Sequence, residues 1–262
     1  MHLDENKIVE NWVALIEKIN GSFADPRREK LIDMYTFFQD RMMMMPASSF
    51  EHFHNCFAGG YVDHIMRVMD CAHKVYHSWK DMGSDCSGYT YEELMFAALN
   101  HDLGKVGTQE LEMYRPNPSE WHRKNQGKIY EINPDIPFMS VPDRSILLLN
   151  EFGIKFSQNE MMGIKLHDGL YDDSNKFYFM SGMKETKLRS HLPLLMHQAD
   201  HMAAQIEFEI WNNATDAVPK QSKPKNGSKG DKTMRNSKKI NTKNNPNLSN
   251  ATLDVIDSFF KD

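Results

Sequence analysis

The chain has 262 residues and a formal net charge of -5, and this length accommodates one large globular domain with an appended segment. The charge is unevenly distributed, because nine Lys and Arg residues accompany Asp231 alone between positions 219 and 247, which leaves the remainder strongly acidic. An acidic body argues against a broad nucleic-acid-binding face, although it is compatible with a local basic cleft.

Cysteine usage and hydropathy indicate a cytoplasmic protein. The three cysteines contain no CxxC pair and provide no disulfide framework, as is typical of a reducing compartment. The first residues lack the basic and then apolar pattern of a signal peptide. Because no apolar run approaches the roughly 20 residues that a bilayer-spanning helix needs, we expect no membrane association.

Two amphipathic helices are predicted in the first part of the chain. Apolar residues recur at helical spacing from Ile8 to Ile19 and again from Leu31 to Met42, and Pro46 is expected to end the second helix. We assign residues 1–45 to these helices, which pack on a core domain formed by residues 46–214.

Two further helices begin the core domain. Residues 61–72 form the third predicted helix, and residues 91–103 form the fourth. Gly104 is expected to end the fourth helix, because glycine is common just past a helix terminus. This boundary places His101 and Asp102 in the last helical turn.

The second half of the core domain is less regular. Periodicity is lost from Gly107 to Pro142, where four prolines and a candidate strand at 128–132 indicate an insertion or lid. Helices are predicted at 143–151 and 158–167, followed by a loop at 171–181 with a short strand at 176–179, and then by a long helix at 189–213. The sequence therefore predicts an all-α helical bundle with a small irregular or β insertion.

An adjacent imidazole and carboxylate followed by a lysine occur in the run His101-Asp102-Leu103-Gly104-Lys105. His64 lies on the third predicted helix, and Asp200 lies on the last one. A divalent ion held by such ligands lowers the pKa of a bound water towards about 7, and a lysine beside it neutralises phosphoryl charge. Imidazoles and carboxylates together suit Mn, Fe, Co, Ni or Zn better than Mg. These residues predict a metal centre for phosphate ester hydrolysis.

This pattern resembles the HD superfamily of metal-dependent phosphohydrolases over roughly residues 50–211. The similarity to HD-domain 3′-to-5′ exoribonucleases extends to four further stretches, namely His54, Gly59-Gly60, His167-Asp168-Gly169 and Gln198-Ala199-Asp200-His201. The resemblance implies an HD-domain fold and Lys105 in the phosphate site. The metal ligands that it implies are His64, His101, Asp102 and Asp200.

The chain departs from those relatives in two places. Many relatives with two metals carry a histidine where this chain reads Val141-Pro142-Asp143-Arg144-Ser145, and they often show His-His-Gly in place of His167-Asp168-Gly169. We therefore expect one ion rather than two.

Three further residues are predicted to bind substrate: His54, Arg144 and His167. Arg144 would clamp phosphate, and His167 would bind phosphate, protonate a leaving group or support a second ion. The alternatives are a histidine packed at a helix entrance for His54 and a solvated arginine at a helix start for Arg144.

The last part of the chain is predicted to be a tether with a terminal peptide. Residues 215–248 are rich in Lys, Asn and Ser and predict a disordered basic linker, because they cannot bury enough apolar surface to fold. Residues 249–262 regain amphipathic character, with Ile256, Phe259 and Phe260 at i, i+3 and i+4. This ending resembles the peptide by which replication proteins bind a sliding clamp, although Leu253 stands where glutamine is usual. The alternative is packing on its own domain.

The residues and the resemblance together predict a metal-dependent phosphohydrolase that cleaves a phosphate ester of a nucleotide with an activated water. Such an enzyme requires an enclosed pocket, which the insertion would roof. The alternative is a 3′-to-5′ exonuclease or phosphodiesterase on single-stranded nucleic acid, and it requires a positive channel leading to the metal. A third hypothesis is a catalytically weak binding module that the C-terminal peptide recruits to a replication partner.

Overall fold

The structure, a computed structural model, describes residues 3–216 as a bundle of helices. Within this range the helices are α1 (Glu5–Ser22), α2 (Arg27–Phe37), α3 (Gln39–Met44), α4 (Gly60–Asp81), α5 (Tyr91–Asn100), α6 (Glu120–Gln126), α7 (Val141–Glu151), α8 (Gln158–Lys165), α9 (Lys176–Phe179) and α10 (Leu192–Asp216). Strands β1 (Tyr114–Pro116) and β2 (Tyr130–Ile132) form one antiparallel pair. The predicted all-α class with a small β insertion is confirmed.

Helix α5 lies in the middle of the bundle, where it packs against α4, α8 and α10. It begins with a reciprocal capping box, in which the Thr90 side chain accepts from the Glu93 backbone and the Glu93 side chain accepts from the Thr90 backbone. Every residue from Leu94 to Asn100 is buried. Because neighbours surround α5, the residues that follow its end are delivered to the interior of the bundle.

Helices α4 and α10, the longest in the described range, pack against each other and against α5. Helix α4 starts at Gly60, directly after Gly59 in the left-handed conformation with φ +83°. A Cβ atom on Gly60 would lie 2.1 Å from the backbone oxygen of Asn55, so this close approach requires glycine. The tight turn fixes where α4 begins and therefore where its side chains point.

The predicted helix from Leu31 to Met42 is interrupted at Phe38. The backbone of Phe38, with φ -95° and ψ 7°, ends α2 and begins α3. Its buried ring packs 4.9 Å from the Phe37 ring and 5.5 Å from the Phe152 ring. Tertiary packing of Phe38 therefore outweighs the helical continuity that the sequence pattern indicates.

The turn after α5 also differs from its prediction. Helix α5 ends at Asn100, and a 3₁₀ turn at Leu103–Val106 follows, so Gly104 lies inside this turn instead of ending the helix. A Cβ atom on Gly104 would lie 2.2 Å from the backbone oxygen of Val141 at the start of α7. Gly104 is required because α7 approaches the turn closely, and His101 and Asp102 lie in the bend between α5 and the 3₁₀ turn.

The insertion contains regular structure that the sequence pattern did not indicate. In the strand pair, Tyr114 lies opposite Ile132, and α6 fills the connection between the two strands. The predicted strand at 128–132 is confirmed from Tyr130 onward, whereas β1 and α6 were missed. Elements of three to seven residues are too short for a periodicity to be recognised.

The predicted short strand at 176–179 is wrong, because this segment forms helix α9. It follows 3₁₀ turns at Gly169–Tyr171 and Asp173–Asn175. The Asp172 side chain accepts a hydrogen bond from the Ser174 backbone, and this bond starts a helical turn. Strands β1 and β2 pair with each other and not with this segment.

The predictions for the end of the chain lie largely outside the described range. The linker is predicted to begin at residue 215, but residues 215 and 216 belong to α10, which ends at Asp216. The remaining linker at 217–248 and the C-terminal peptide at 249–262, with Ile256, Phe259 and Phe260, lie outside the described residues. Among residues 3–216, none of the helices has both the length and the hydropathy that a membrane span needs. The three cysteines are unpaired, as predicted.

The variant Gly104→Ala is expected to lower the free energy of unfolding by about 1–3 kcal/mol, because backbone atoms of α7 cannot move aside as a side chain could. Gly21→Ala is the matched control, since a Cβ atom on Gly21 at the end of α1 would meet nothing within 4 Å. The control is expected to be neutral or stabilising by up to about 1 kcal/mol. Urea unfolding measures both, and equal stabilities would contradict the role assigned to Gly104.

Candidate metal centre

Four side chains from three distant stretches of the sequence meet inside the bundle. His64 comes from α4, His101 and Asp102 follow α5, and Asp200 comes from α10. Both histidines are fully buried, and Asp102 is 3% exposed. The Asp200 side chain, at 19%, is the most exposed of the four, so the centre is open to solvent from its side. The structure therefore brings together all four predicted ligands.

The ligand atoms of these residues are spaced as in one coordination shell. The Asp200 Oδ1 atom lies 3.2 Å from His64 Nε2 and 3.6 Å from His101 Nε2. The Asp102 Oδ2 atom lies 3.5 Å and 3.4 Å from the same two nitrogens. Metal–ligand bonds of about 2.1 Å in tetrahedral or octahedral shells give ligand separations of about 3.0–3.4 Å.

The orientation of the two imidazoles supports the same conclusion. The Nδ1 atom of His64 lies 3.0 Å from a Glu207 carboxylate oxygen, and the Nδ1 atom of His101 lies 2.9 Å from the Ala98 carbonyl oxygen. Because these oxygens accept, each Nδ1 carries a hydrogen, and in the neutral ring each Nε2 has a lone pair to offer an ion. Both Nε2 atoms are buried, and each faces the carboxylates of Asp102 and Asp200 at 3.2–3.6 Å. The residues present therefore fit a metal ion.

The two histidines predicted to bind substrate border this centre. The Nδ1 atom of His167 lies 2.8 Å from the Ile164 carbonyl oxygen, and its Nε2 lies 3.8 Å from Asp102 Oδ1. On the other flank, the His54 ring centroid lies 4.6 Å from that of His64. Each extends the group of side chains able to hold a cation, since His167 joins His101 and Asp102 while His54 joins His64 and Asp102.

Carboxylates and cationic side chains lie close together at the centre. The carboxylates of Asp102, Asp200 and Glu207 accompany the permanent cations Lys105 and Arg67. Carboxylates are in excess, and an unbalanced buried charge is costly. The two facing imidazoles can balance it with protons, and a divalent ion can balance it in their place.

The pKa values of the imidazoles reflect this surplus of negative charge. Burial lowers the pKa of His101, but Asp102 and Asp200 outweigh burial and raise that pKa to about 9. Burial also opposes charging of His64, yet Glu207 and the two aspartates raise its pKa well above the ordinary range. The centre therefore attracts positive charge strongly.

Lys105 lies against the Asp102 carboxylate, and its predicted role in a phosphate site stays a prediction. Its Nζ atom is 2.6 Å from Asp102 Oδ2 and donates to the Ala47 carbonyl oxygen at 2.7 Å. Burial raises the pKa of Asp102, but Lys105 and His101 outweigh burial and hold that pKa well below its usual value. Burial raises the pKa of the Tyr114 phenol in β1, and the Lys105 charge opposes that rise. Tyr114 therefore lies close to Lys105. The insertion thus reaches the edge of the centre.

Arg144 points its guanidinium at backbone oxygens. Its Nη2 donates to the Pro137 carbonyl oxygen at 2.8 Å, and its Nη1 donates to the Gly104 carbonyl oxygen at 3.4 Å. Arg144 is 4% exposed, so the alternative of a solvated arginine is wrong. It fastens the end of the insertion to the turn after α5, and its predicted role as a phosphate clamp stays a prediction.

Glu207 is the residue of the centre that the sequence analysis missed. It is 1% exposed, and it accepts from Arg67 Nε at 3.2 Å as well as from His64. A detectable signal was present, because Glu207 follows Asp200 by seven residues on one helix and two helical turns return to the same face. A charged residue on the inner face of a buried helix points to a partner inside.

Comparisons with known proteins leave the family of this chain open. No protein-family model matches it, and no curated protein or solved structure shows significant similarity. The resemblance to HD-domain phosphohydrolases therefore rests on the motifs and on the residues that the fold brings together.

The variant Glu207→Gln is expected to weaken metal binding by about 10- to 100-fold, because an amide orients the His64 ring less firmly and lacks the charge that favours a cation. Glu209→Gln is the matched control, since Glu209 is exposed on the same helix. Titration calorimetry with Mn²⁺ or Zn²⁺ gives the two affinities. Equal affinities would exclude a supporting role for Glu207.

Metal affinity is expected to rise with pH up to about 9, because an incoming ion must displace protons from imidazoles whose pKa values are raised, that of His101 to about 9. Imidazoles with an ordinary pKa near 6.5 would give no further rise above about pH 7.5. Calorimetry in buffers with different ionisation enthalpies also counts the protons released. A plateau from about pH 7.5 would show that the carboxylates do not raise the imidazole pKa values.

Proposed function

We propose that this chain is an HD-type phosphohydrolase that uses a metal ion to cleave a phosphate ester of a nucleotide. One observation carries the proposal. The buried Nε2 atoms of His64 and His101 each face the carboxylates of Asp102 and Asp200 at 3.2–3.6 Å, with Lys105 alongside. A divalent ion between them satisfies both nitrogens and both carboxylates at once, where a cluster without an ion must hold protons on both rings.

The ion is proposed to be a single Mn, Fe, Co, Ni or Zn, since imidazole and carboxylate ligands suit these metals. Its four proposed ligands are His64, His101, Asp102 and Asp200. When bound, such an ion supplies an activated water at neutral pH. The hydrogen bonds of His64 to Glu207 and of His101 to Ala98 hold both rings in the orientation that ligation requires.

In the proposed reaction, a water oxygen bonds to phosphorus and the bond from phosphorus to the ester oxygen breaks. Lys105, held by Asp102 and the Ala47 carbonyl oxygen, is placed to stabilise the negative charge that grows on the phosphoryl oxygens. The departing alcohol must gain a proton. His167 is the proposed donor, because its Nδ1 is fixed by Ile164 and its Nε2 faces the centre.

His54 is proposed to contact substrate on the opposite flank. Burial, with help from His64 and Lys105, lowers its pKa well below the ordinary value, so the ring is neutral at neutral pH. Its buried Nε2 atom has no hydrogen-bond partner within the described range. A neutral imidazole with a free nitrogen suits a hydrogen bond to a substrate hydroxyl or to water.

Two alternatives remain as hypotheses. A 3′-to-5′ exonuclease acting on single strands would use the same centre. A weak binding module recruited through Ile256, Phe259 and Phe260 would depend on residues outside the described range.

A cytoplasmic location is proposed with the phosphohydrolase, and the three unpaired cysteines support it.

The test is release of phosphate or nucleotide from a panel of ribo- and deoxynucleotides and short single strands, with Mn²⁺ and other divalent ions. Wild-type protein is expected to turn over one nucleotide class only with metal, and Asp102→Asn is expected to lose more than about a hundredfold in rate because it removes a ligand. Asp33→Asn, the same change at an exposed position of α2, is the control. Stepwise shortening of strands would identify the exonuclease, and no turnover of any ester would overturn the phosphohydrolase.

A further inference from the structure

Three aromatic rings lie together beside the metal centre, and the centroids of each pair are 5.7–6.1 Å apart. The ring centroid of His201 lies 5.7 Å from that of Tyr171 at an interplanar angle of 27°, and 6.1 Å from that of His197 at 30°. His201 directly follows the predicted ligand Asp200 on α10. The Nδ1 atom of His197 donates to the His167 carbonyl oxygen at 2.8 Å. The ring stack, defined as Tyr171, His201 and His197, is thus attached to the centre at both of these points.

The backbone is shaped to admit this stack. Gly169 has φ +57°, and a Cβ atom there would lie 2.5 Å from the His197 ring. Glycine therefore allows the chain after His167 to turn tightly and to place Tyr171 over α10. The Tyr171 side chain is 77% exposed, although it contacts two rings. Most of the Tyr171 surface is therefore available to a ligand.

A second aromatic group flanks the centre on the side of His54. Phe53 precedes His54 in the chain and is 50% exposed. Its ring packs 4.6 Å from His52 and 5.4 Å from Phe50, and the Lys128 ammonium lies 5.9 Å from the Phe50 ring centroid. Phe53 is therefore an exposed ring next to His54, whose own ring lies against that of the proposed ligand His64.

We propose that the ring stack binds the nucleobase of the substrate through the exposed face of Tyr171. The inference rests on the proposed phosphohydrolase, and it adds which part of the substrate is recognised and where. Every nucleobase has a flat π-face, so an exposed tyrosine beside a phosphate site recognises base-bearing esters with little preference among bases. Outside residues 219–247 the chain has an excess of acidic residues, and stacking supplies affinity that phosphate contacts alone would not.

The base can belong to a free nucleotide or to the end of a single strand, and the two sources differ in how many rings they use. A mononucleotide has one base and needs the ring stack alone. A strand whose scissile ester lies at the centre also presents a neighbouring base, which the Phe53 group on the other flank would take. The Phe53→Ala variant therefore distinguishes the sources.

The experiment compares Tyr171→Ala, Tyr171→Phe and Phe177→Ala on a nucleoside monophosphate and on ribose 5-phosphate, which lacks the base. Phe177 is exposed on the neighbouring α9 and makes no ring contact with the stack, so it is the matched control. Tyr171→Ala is expected to raise KM for the nucleotide about tenfold or more, with kcat and the base-less ester little changed. Tyr171→Phe and Phe177→Ala are expected to behave as wild type. Equal effects of Tyr171→Ala on both esters, or none on either, would overturn the inference.

Equilibrium binding separates this inference from the proposed function. Titration calorimetry of adenosine monophosphate against wild type and Tyr171→Ala needs no turnover, and about tenfold weaker binding by the variant supports base stacking even if no ester is hydrolysed. If the protein hydrolyses nucleotides and Tyr171→Ala changes neither KM nor binding, the phosphohydrolase proposal holds and base binding by the ring stack is refuted. On short single strands, a loss for Phe53→Ala that is absent on mononucleotides identifies a strand as the source, and equal rates identify the free nucleotide.

Discussion

The burial of several carboxylates among the helices is the constraint on which the rest of this structure depends. Asp102 and Glu207 are buried and Asp200 is largely buried, so each needs positive charge or hydrogen-bond donors within a few ångströms. Lys105 and Arg67 supply part of that charge. The remaining positive charge must lie at the Nε2 atoms of the two imidazoles, either as protons on them or as an ion between them and the carboxylates. Helix packing thus creates a place whose electrostatics favour a cation.

The same constraint explains how the helices are arranged. Helix α5 is enclosed by α4, α8 and α10, so the bend that follows it carries His101 and Asp102 directly inside. The pair formed by His64 and Glu207 links α4 to α10 across the interior. Gly104 lets α7 close over the bend, and Arg144 of α7 fastens the insertion to it. Fold and centre are therefore held by overlapping sets of contacts.

The sequence predicted the candidate metal-ligating residues better than the residues and short elements that position them. His64, His101, Asp102 and Asp200 were found because their residue types and order resemble the HD pattern, and because the long amphipathic helices around them are easy to recognise. Glu207 was missed, although its helical spacing from Asp200 was visible. The break at Phe38 and the contacts of Arg144 depend on the packing of distant segments, which no local pattern encodes. Short elements such as α6 and α9 depend on single capping side chains and neighbours, so periodicity could not reveal them.

The ligands at positions 64 and 200 belong to opposite ends of the core, and an extended chain holds them far apart. Closing that loop costs entropy that the folded bundle has already overcome, so the unfolded chain offers an ion a much poorer site. Any ion that binds at the centre therefore stabilises the native state, and the stabilisation grows with the logarithm of the ratio of ion concentration to dissociation constant. The free energy of unfolding of this protein would then depend on the supply of metal.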